Sequence, residues 1–152
     1  MTFHSIIIRK AGLSDINQMV GLLEELFSIE EDFAFNETTQ RNGLAVMLGD
    51  NEKGCIMVAA SGEQVIGMIS AQLLVSTAEG GMVALIEDMV VAKLYRGQGI
   101  GKKLLLSIEK WTNKKGAKRI QLLADRNNFH ALGFYKKQKW ASTQLTCLRK
   151  NF

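Results

Sequence analysis

The stretch EDMVVAKLYRGQGIGKKLLL, residues 87–106, decides how the fold is interpreted, because a strand pattern, a glycine-rich turn and a helix pattern follow one another in it. Chains that bind phosphate groups are often built in this way. Two common nucleotide motifs do not fit, however. A P-loop would need glycine at Arg96 and serine or threonine at Lys103, and a dinucleotide motif would need its third glycine one residue after Gly101.

The turn itself has the properties of an anion-binding site. The first N–H groups of a helix have no partners within the helix and lie at the positive end of its dipole. Glycines at 97, 99 and 101 would let a ligand approach this backbone, and Arg96 and Lys102 add positive charge. We therefore predict a site for a small polyanion, with a diphosphate as the natural ligand. The alternative is a tight turn without a ligand.

Length and composition place the chain among ordinary globular proteins. Its 152 residues, 47% hydrophobic and 22% charged, predict one domain over 1–152. No apolar run approaches the roughly 20 residues that span a bilayer, and the N-terminus lacks the basic start of a signal peptide. Cys55 and Cys147 lie far apart and have no metal-binding or redox spacing. We expect a cytoplasmic protein with reduced, buried cysteines and no metal.

The net charge of +4 comes largely from the second half of the chain. The cations concerned are Lys102, Lys103, Lys110, Lys114, Lys115, Lys118, Arg119, Lys136, Lys137 and Lys139. A nucleic-acid surface is one interpretation of this charge. No aromatic residues are interleaved with these lysines, and several fall on the solvated face of a predicted helix. A small polyanionic ligand near the glycine turn explains the same charge, so we predict no nucleic-acid or membrane partner.

Hydrophobic periodicity and turn residues predict the order of the elements. Strands are predicted at 5–11, 55–60, 65–75, 82–91 and 117–124, with one or two more within 140–150. Helices are predicted from Ser14 or Asp15 to Phe27, from Glu37 to Leu48, from Gly99 to Lys114, and after a cap at Asn127 or Asn128. Gly67 marks a bulge or a close backbone approach. The fold class is therefore α/β, as an α+β mixed sheet with helices on both faces.

Two motifs identify a family resemblance. The spacing Arg96-x-x-Gly99-x-Gly101 is similar to the pyrophosphate-binding signature of the GCN5-related N-acetyltransferases (GNAT). About thirty residues later, the chain has the second motif of that family, N-x-x-A-x-x-F-Y, as Asn128, Ala131, Phe134 and Tyr135. The run IEDMVVAKLYRGQGIG is closest to the spermidine/spermine acetyltransferase-like branch.

The chain also departs from the pattern of the family. Lys93 stands where the family often has proline, and Lys139 and Trp140 replace the usual Gly-Phe after the second motif. The departure after Tyr135 concerns the local turn and leaves the phosphate site unaffected.

The resemblance implies a GNAT-type fold, with a central, mostly antiparallel sheet that is splayed at the cofactor site. It implies acetyl-CoA as cosubstrate and no metal. Backbone groups of the strand 89–91 would pair with pantetheine, and the glycine turn would bind the pyrophosphate. The implied cofactor-binding residues are Met89, Val90, Val91, Arg96, Gly97, Gln98, Gly99, Ile100, Gly101, Lys102 and Asn128.

The resemblance also implies catalytic roles. Tyr135 would be the general acid that protonates the departing thiolate, since a phenol with a pKa of about 10 is protonated at neutral pH. A core tyrosine is the alternative. Amides around Val90 or Val91 would stabilise the oxyanion, and Asn128 would orient the ligand or cap the helix.

Two acidic segments are candidates for the acceptor side. Glu87 and Asp88 are adjacent on a strand, so their side chains should point to opposite faces. The resemblance favours Glu87, which would hold a cationic amine or relay its proton through water; a solvated carboxylate is the alternative. Residues 30–32, EED, form either a second acidic patch or an ordinary solvated loop. His4 and His130 have no partners suggested by spacing.

The predicted function is transfer of an acetyl group from acetyl-CoA to the primary amine of a small molecule, by direct attack in a ternary complex. The alternatives are a protein or peptide N-acetyltransferase and a CoA-binding sensor without turnover. The resemblance implies that the chain can form a homodimer.

Overall fold

The computed structural model describes residues 4–30 and 32–152. The chain divides into two compact units, Met1–Gln121 and Leu122–Phe152. The prediction of one domain over 1–152 stays a prediction. Among the described residues, no helix has both the length and the apolar character that crossing a membrane would require.

The sheet has five strands in the order β1-β2-β3-β4-β5. The strands are β1 (Ile6–Lys10), β2 (Gly54–Ser61), β3 (Gln64–Ser76), β4 (Gly81–Val91) and β5 (Ile120–Leu122). The first four pair antiparallel, and for β2, β3 and β4 this is expected because short turns join them. Next to β5, Lys118 N–H donates to Met82 O and Ala84 N–H donates to Arg119 O. The residue numbers rise in the same direction on both sides of these two bonds, so β5 runs parallel to β4. The predicted mixed sheet is therefore confirmed.

Helices cover both faces of this sheet, also as predicted. They are α1 (Ile16–Phe27), α2 (Glu37–Leu48) and α3 (Ile100–Lys114). One core joins α1 and α2 to Val58, Met68 and Val90 of the strands. Gly67, the neighbour of Met68, faces the other way, because a β-carbon there would lie 3.1 Å from the Leu104 side chain of α3. Successive strand residues point to opposite faces, so α3 lies across the sheet from α1 and α2.

Two irregularities interrupt the strand register. Between β2 and β3, Ala59 pairs with Gly67 but Ala60 pairs with Val65, which leaves one extra residue on β3. The prediction at Gly67 is thus confirmed for both the bulge and the close approach. Between β3 and β4, Ser70 pairs with Asp88 and Ala71 with Ile86. Glu87 is the extra residue of this second bulge.

The second unit contains α4 (Phe129–Lys137), which begins after the predicted cap at Asn128. The strands predicted within 140–150 are wrong, since residues 141–152 form no regular element and are exposed. Strand preference reflects packing against neighbouring strands, so a strand-like segment that pairs with none stays irregular. For the same reason Cys147 is exposed, contrary to the prediction, whereas Cys55 on β2 is buried as expected.

Candidate active site

The end of β4 and the loop after it are held in place by hydrogen bonds to residues far away in the sequence. Ala92 N–H donates to the Ile66 carbonyl at 2.8 Å. Lys93 N–H donates to Glu25 Oε1 of α1, and the Tyr95 hydroxyl donates to Gln64 Oε1, both at 3.2 Å. These contacts fix the path of the backbone that enters the glycine turn.

The Arg96 side chain turns back onto the end of β4. Its Nε donates to the Val91 carbonyl at 2.8 Å. In antiparallel strands, directly opposed residues alternate between hydrogen-bonded and non-hydrogen-bonded pairs. Ala92 and Ile66 form a bonded pair, so the next bonded pair is Val90 with Met68. Val91, between them, is in a non-hydrogen-bonded pair with Gly67. The N–H and C=O of Val91 therefore point away from β3. Of the two amides predicted as oxyanion donors, only that of Val91 points to this outer edge.

The glycine turn leaves open space at the start of α3. Gly97 and Gly99 have φ angles of +77° and +81°, in the left-handed region that disfavours residues with a β-carbon. A β-carbon built at either glycine meets no atom within 4 Å. Gly99 is the N-cap residue of the helix, and because glycine has no side chain it accepts no hydrogen bond from the first-turn amides through one. An anionic group such as a diphosphate fits this arrangement of open space, amides and the exposed Lys102.

Not every predicted cofactor residue presents its side chain at this place. Val90 and Ile100 are buried in the cores on either side of the sheet, so only their backbone groups are available to a ligand. Asn128 accepts a hydrogen bond from Ala131 N–H at 3.1 Å. Helix capping, one of the two roles weighed for Asn128, is thus observed in the second unit.

The two neighbouring carboxylates of β4, Glu87 and Asp88, differ in their exposure to solvent. Asp88 is half-buried, and the hydroxyl of the fully buried Ser70 donates to its Oδ2 at 3.1 Å. The same hydroxyl accepts the backbone N–H of Asp88 at 3.2 Å. Burial, together with the negative charge of Glu87, raises the pKa of Asp88 to about 6, although the bond from Ser70 acts in the opposite direction. Glu87 itself is exposed.

Ser70 is a residue that the sequence did not single out. It lies in the middle of an apolar strand, 18 positions before Asp88. The one available signal was its polarity within the run VIGMISAQLLV, since a buried hydroxyl requires a partner.

In the second unit, Tyr135 lies on α4 between two other aromatic rings. The ring centroids of Phe134 and Trp140 are 5.3 and 5.7 Å from that of Tyr135. The helix then ends in a left-handed turn at Lys139, which has a φ of +67°. Lys139 is the residue that stands where the family usually has glycine, and glycine adopts this left-handed conformation without strain.

The remaining points from the sequence are the acidic segment 30–32, the buried Cys55 and the question of a metal site. The acidic segment 30–32 includes Glu31, which lies outside the described residues. Burial raises the pKa of the Cys55 thiol, which makes it a poor nucleophile. Within residues 4–30 and 32–152, no group of three or more His, Cys, Asp or Glu side chains could hold a metal ion.

Comparison with known proteins relates this chain to acetyltransferases. The model of the acetyltransferase (GNAT) family matches residues 16–140. An aminoalkylphosphonate N-acetyltransferase of Salmonella typhimurium is 30% identical over 132 residues, which are 86% of this chain and 82% of that protein. An uncharacterized N-acetyltransferase of Archaeoglobus fulgidus is 26% identical over 132 residues, which are 86% and 90% of the two chains.

A solved structure of an aminoglycoside N-acetyltransferase in complex with CoA shares the fold, with a TM-score of 0.85. Its sequence is 15% identical to this chain, and the match covers 99% of this chain and 97% of that one.

Proposed function

Because this chain belongs to the GNAT family of acetyltransferases, it is an acetyl-CoA-dependent N-acetyltransferase, and we propose that its acceptor is a small molecule carrying a primary amine. The observation that carries the proposal is the pair of carboxylates on β4, the exposed Glu87 and the half-buried Asp88. Acidic side chains attract a cationic amine and can take up its proton. The relative from Salmonella typhimurium, named for aminoalkylphosphonates, supports an amine of this kind.

On the donor side, we propose that the start of α3 binds the diphosphate of acetyl-CoA. The support is the open space over Gly97 and Gly99, the uncapped amides of the first turn, and the charges of Arg96 and Lys102. When bound, acetyl-CoA supplies the thioester whose acetyl group is transferred. The outward-pointing N–H of Val91 would donate to the carbonyl oxygen of that thioester.

For the chemistry, we propose that Tyr135 donates a proton from its hydroxyl to the leaving sulfur. Glu87 would anchor the cationic amine. Direct attack in a ternary complex agrees with the chemistry of Cys55, whose raised pKa disfavours a covalent acyl-cysteine. The closer relationship to the spermidine/spermine acetyltransferase-like branch stays a prediction, as do the cytoplasmic location and the homodimer.

We also propose that the whole chain, 1–152, works as one acetyltransferase domain. The support is that the match to the family model, residues 16–140, includes parts of both compact units.

The test is release of free thiol from acetyl-CoA against a panel of polyamines, aminoalkylphosphonates, aminoglycosides, amino acids and short peptides. Release with one class of small amine, above the background without amine, is the expected result. Release with peptides alone would favour a protein N-acetyltransferase. Binding of CoA in a calorimeter without release for any amine would favour the sensor, and would contradict the proposed acceptor.

A further inference from the structure

We propose that Glu25 of α1 is a positioning residue for the acetyl-CoA site, because its carboxylate holds the segment that leads from β4 into the glycine turn. The inference rests on the proposed function and deepens it, since the turn in question is the proposed site of the diphosphate. Glu25 contacts neither substrate in this proposal. It acts through the backbone of residues 92–96.

The first argument is the hydrogen bond itself. Glu25 Oε1 accepts the backbone N–H of Lys93 at 3.2 Å, although the two residues are 68 positions apart. Lys93 begins a short 3₁₀ turn, Lys93–Tyr95, and the first N–H groups of a helical turn have no acceptor within it. The N-cap residue of this turn is Ala92, whose side chain has no acceptor. Glu25 therefore supplies, from another helix, the acceptor that an N-cap side chain usually supplies.

The second argument is that α1 is itself firmly attached to the sheet. Gln18, Leu22 and Glu25 follow one another at helical spacing, so they lie along one side of α1. Leu22 is buried in the core. Gln18 Oε1 accepts the N–H of Val65 at 2.7 Å, and Gln18 Nε2 donates to the carbonyl of Glu63 at 3.1 Å. Glu25 thus extends from a helix whose position is already fixed.

The third argument is the short distance along the chain between the tether and the glycine turn. The carbonyl of Lys93 accepts the N–H of Arg96 at 3.4 Å, and Arg96 directly precedes Gly97. Arg96 Nε also donates to the carbonyl of Val91 at 2.8 Å. Lys93 and Arg96 therefore move together, and any shift of Lys93 changes the place of both the first glycine and the Arg96 guanidinium.

The fourth argument comes from a departure of this chain from its family. Lys93 stands where the family often has proline. Proline suits the first position of a helical turn, because it fixes φ and has no N–H that needs an acceptor. Ala92 has a φ of −54° and a ψ of 139°, the extended conformation preferred before proline. The backbone is thus one that proline would fit, and the N–H that lysine brings instead is accepted by Glu25.

The first experiment measures the affinity for acetyl-CoA by calorimetry. Glu25→Ala should weaken binding by about tenfold, because the tether of the turn is lost. Glu25→Gln keeps a side-chain carbonyl oxygen and should restore most of the affinity. Glu24→Ala, which removes an exposed carboxylate one position earlier, should leave the affinity unchanged. In turnover, Glu25→Ala should raise KM for acetyl-CoA and not KM for the amine.

Two results of this experiment would overturn the proposal. Glu25→Ala that lowers stability in chemical denaturation but binds acetyl-CoA like the unaltered protein would leave Glu25 with a structural role alone. Equal losses of affinity in Glu25→Gln and Glu25→Ala would show that the hydrogen bond is not the cause.

A double-mutant cycle with Lys93→Pro tests the partner. Lys93→Pro removes the N–H and fixes φ, so it should bind acetyl-CoA about as well as the unaltered protein. Adding Glu25→Ala to Lys93→Pro should cause no further loss, because no N–H is left for Glu25 to accept. The two substitutions are therefore expected to be strongly non-additive. A tenfold loss from Glu25→Ala in both backgrounds would overturn the assignment to Lys93.

Amide hydrogen exchange at Lys93, followed by NMR without any ligand, measures the bond directly. Exchange should be faster in Glu25→Ala than in the unaltered protein or in Glu25→Gln, and equal rates in all three would overturn the tether. Absence of acetyl-CoA binding by the unaltered protein would overturn the proposed donor site and this role together. Binding without turnover would contradict only the proposed acceptor, since the affinities of the variants would still decide the role of Glu25.

Discussion

The backbone N–H of Trp140 donates a hydrogen bond to the carbonyl of Tyr135 at 3.0 Å. Lys139 N–H donates in turn to the Lys136 carbonyl at 3.0 Å, and the Tyr135 and Trp140 rings are in contact. Together these two bonds and the ring contact form a Schellman motif, the common ending of a helix. Its left-handed residue is Lys139, where glycine would be unstrained.

Lys139→Gly should therefore stabilise the protein, by about 1 kcal/mol, because it removes the steric penalty of a left-handed lysine. Chemical denaturation would measure the change in the free energy of unfolding. Lys137→Gly is a suitable control, since that residue is helical and its replacement should destabilise by up to about 1 kcal/mol. Equal effects of the two substitutions would show that the turn is not strained.

Tyr135→Phe should abolish most of the turnover and preserve the binding of acetyl-CoA. Loss of a general acid lowers rates by about 10²–10⁴-fold, and the phenyl ring keeps the packing against Trp140. Thiol release and calorimetry would measure the two properties separately. Phe134→Tyr, which adds a hydroxyl to the neighbouring ring, serves as the comparison. Unchanged turnover in Tyr135→Phe would leave Tyr135 as a packing residue.

Gly99→Ala should weaken acetyl-CoA binding at least about tenfold, because the new methyl group would occupy the space over the first turn of α3 and strain a left-handed residue. Gly116→Ala is a matched control. Gly116 has a φ of +74° and open space around it, but follows the other end of α3. Both variants should lose similar stability, and only Gly99→Ala should lose affinity. Equal affinities measured by calorimetry would place the diphosphate elsewhere.

Gly67→Ala should destabilise the protein by about 1–3 kcal/mol. The added carbon would lie 3.1 Å from Leu104 Cδ1 and 3.2 Å from the Val90 carbonyl oxygen, and the latter belongs to a paired strand that cannot move freely. Thermal denaturation would show the loss. Gly43→Ala in α2, where a β-carbon meets nothing within 4 Å, should instead be neutral or stabilising.

Asp15→Asn should destabilise the protein by about 1–3 kcal/mol at pH 7, but not in strong acid. Asp15 accepts hydrogen bonds from both terminal nitrogens of Arg9, at 2.8 and 2.9 Å, and from Gly12 N–H at 2.8 Å. The bonds from Arg9 are the largest cause of its lowered pKa. A carboxyl with a lowered pKa stabilises the fold above its unfolded pKa of about 3.9 and loses this effect as the pH falls further. Denaturation at pH 7 and at pH 3 should give a smaller difference between the two proteins at pH 3.

The local elements followed from local signals. The second helix was predicted at its observed bounds, Glu37–Leu48, and a loop was predicted directly after it. Its N-cap also lies next to it in the chain, because the Asn36 side chain accepts a hydrogen bond from Thr39 N–H. The glycine turn was likewise predicted from three alternating glycines, two of which, Gly97 and Gly99, have positive φ angles. These features depend on residues that are neighbours in the chain.

The features that could not be predicted from the sequence depend on contacts between residues that are far apart in the chain. Only the pairing of β3 with β4 places Glu87 in a bulge and brings Ser70 to Asp88, and no local pattern encodes that register. The strand-like segment after Trp140 stays irregular for the same reason, because a strand exists only where another strand bonds to it. The sequence alone thus determined the order of the elements from β1 to α4 and the glycine turn before α3, through propensity and turn geometry. The tertiary structure decided which carboxylate of β4 is shielded, because burial and hydrogen bonding depend on residues that meet only in the folded chain.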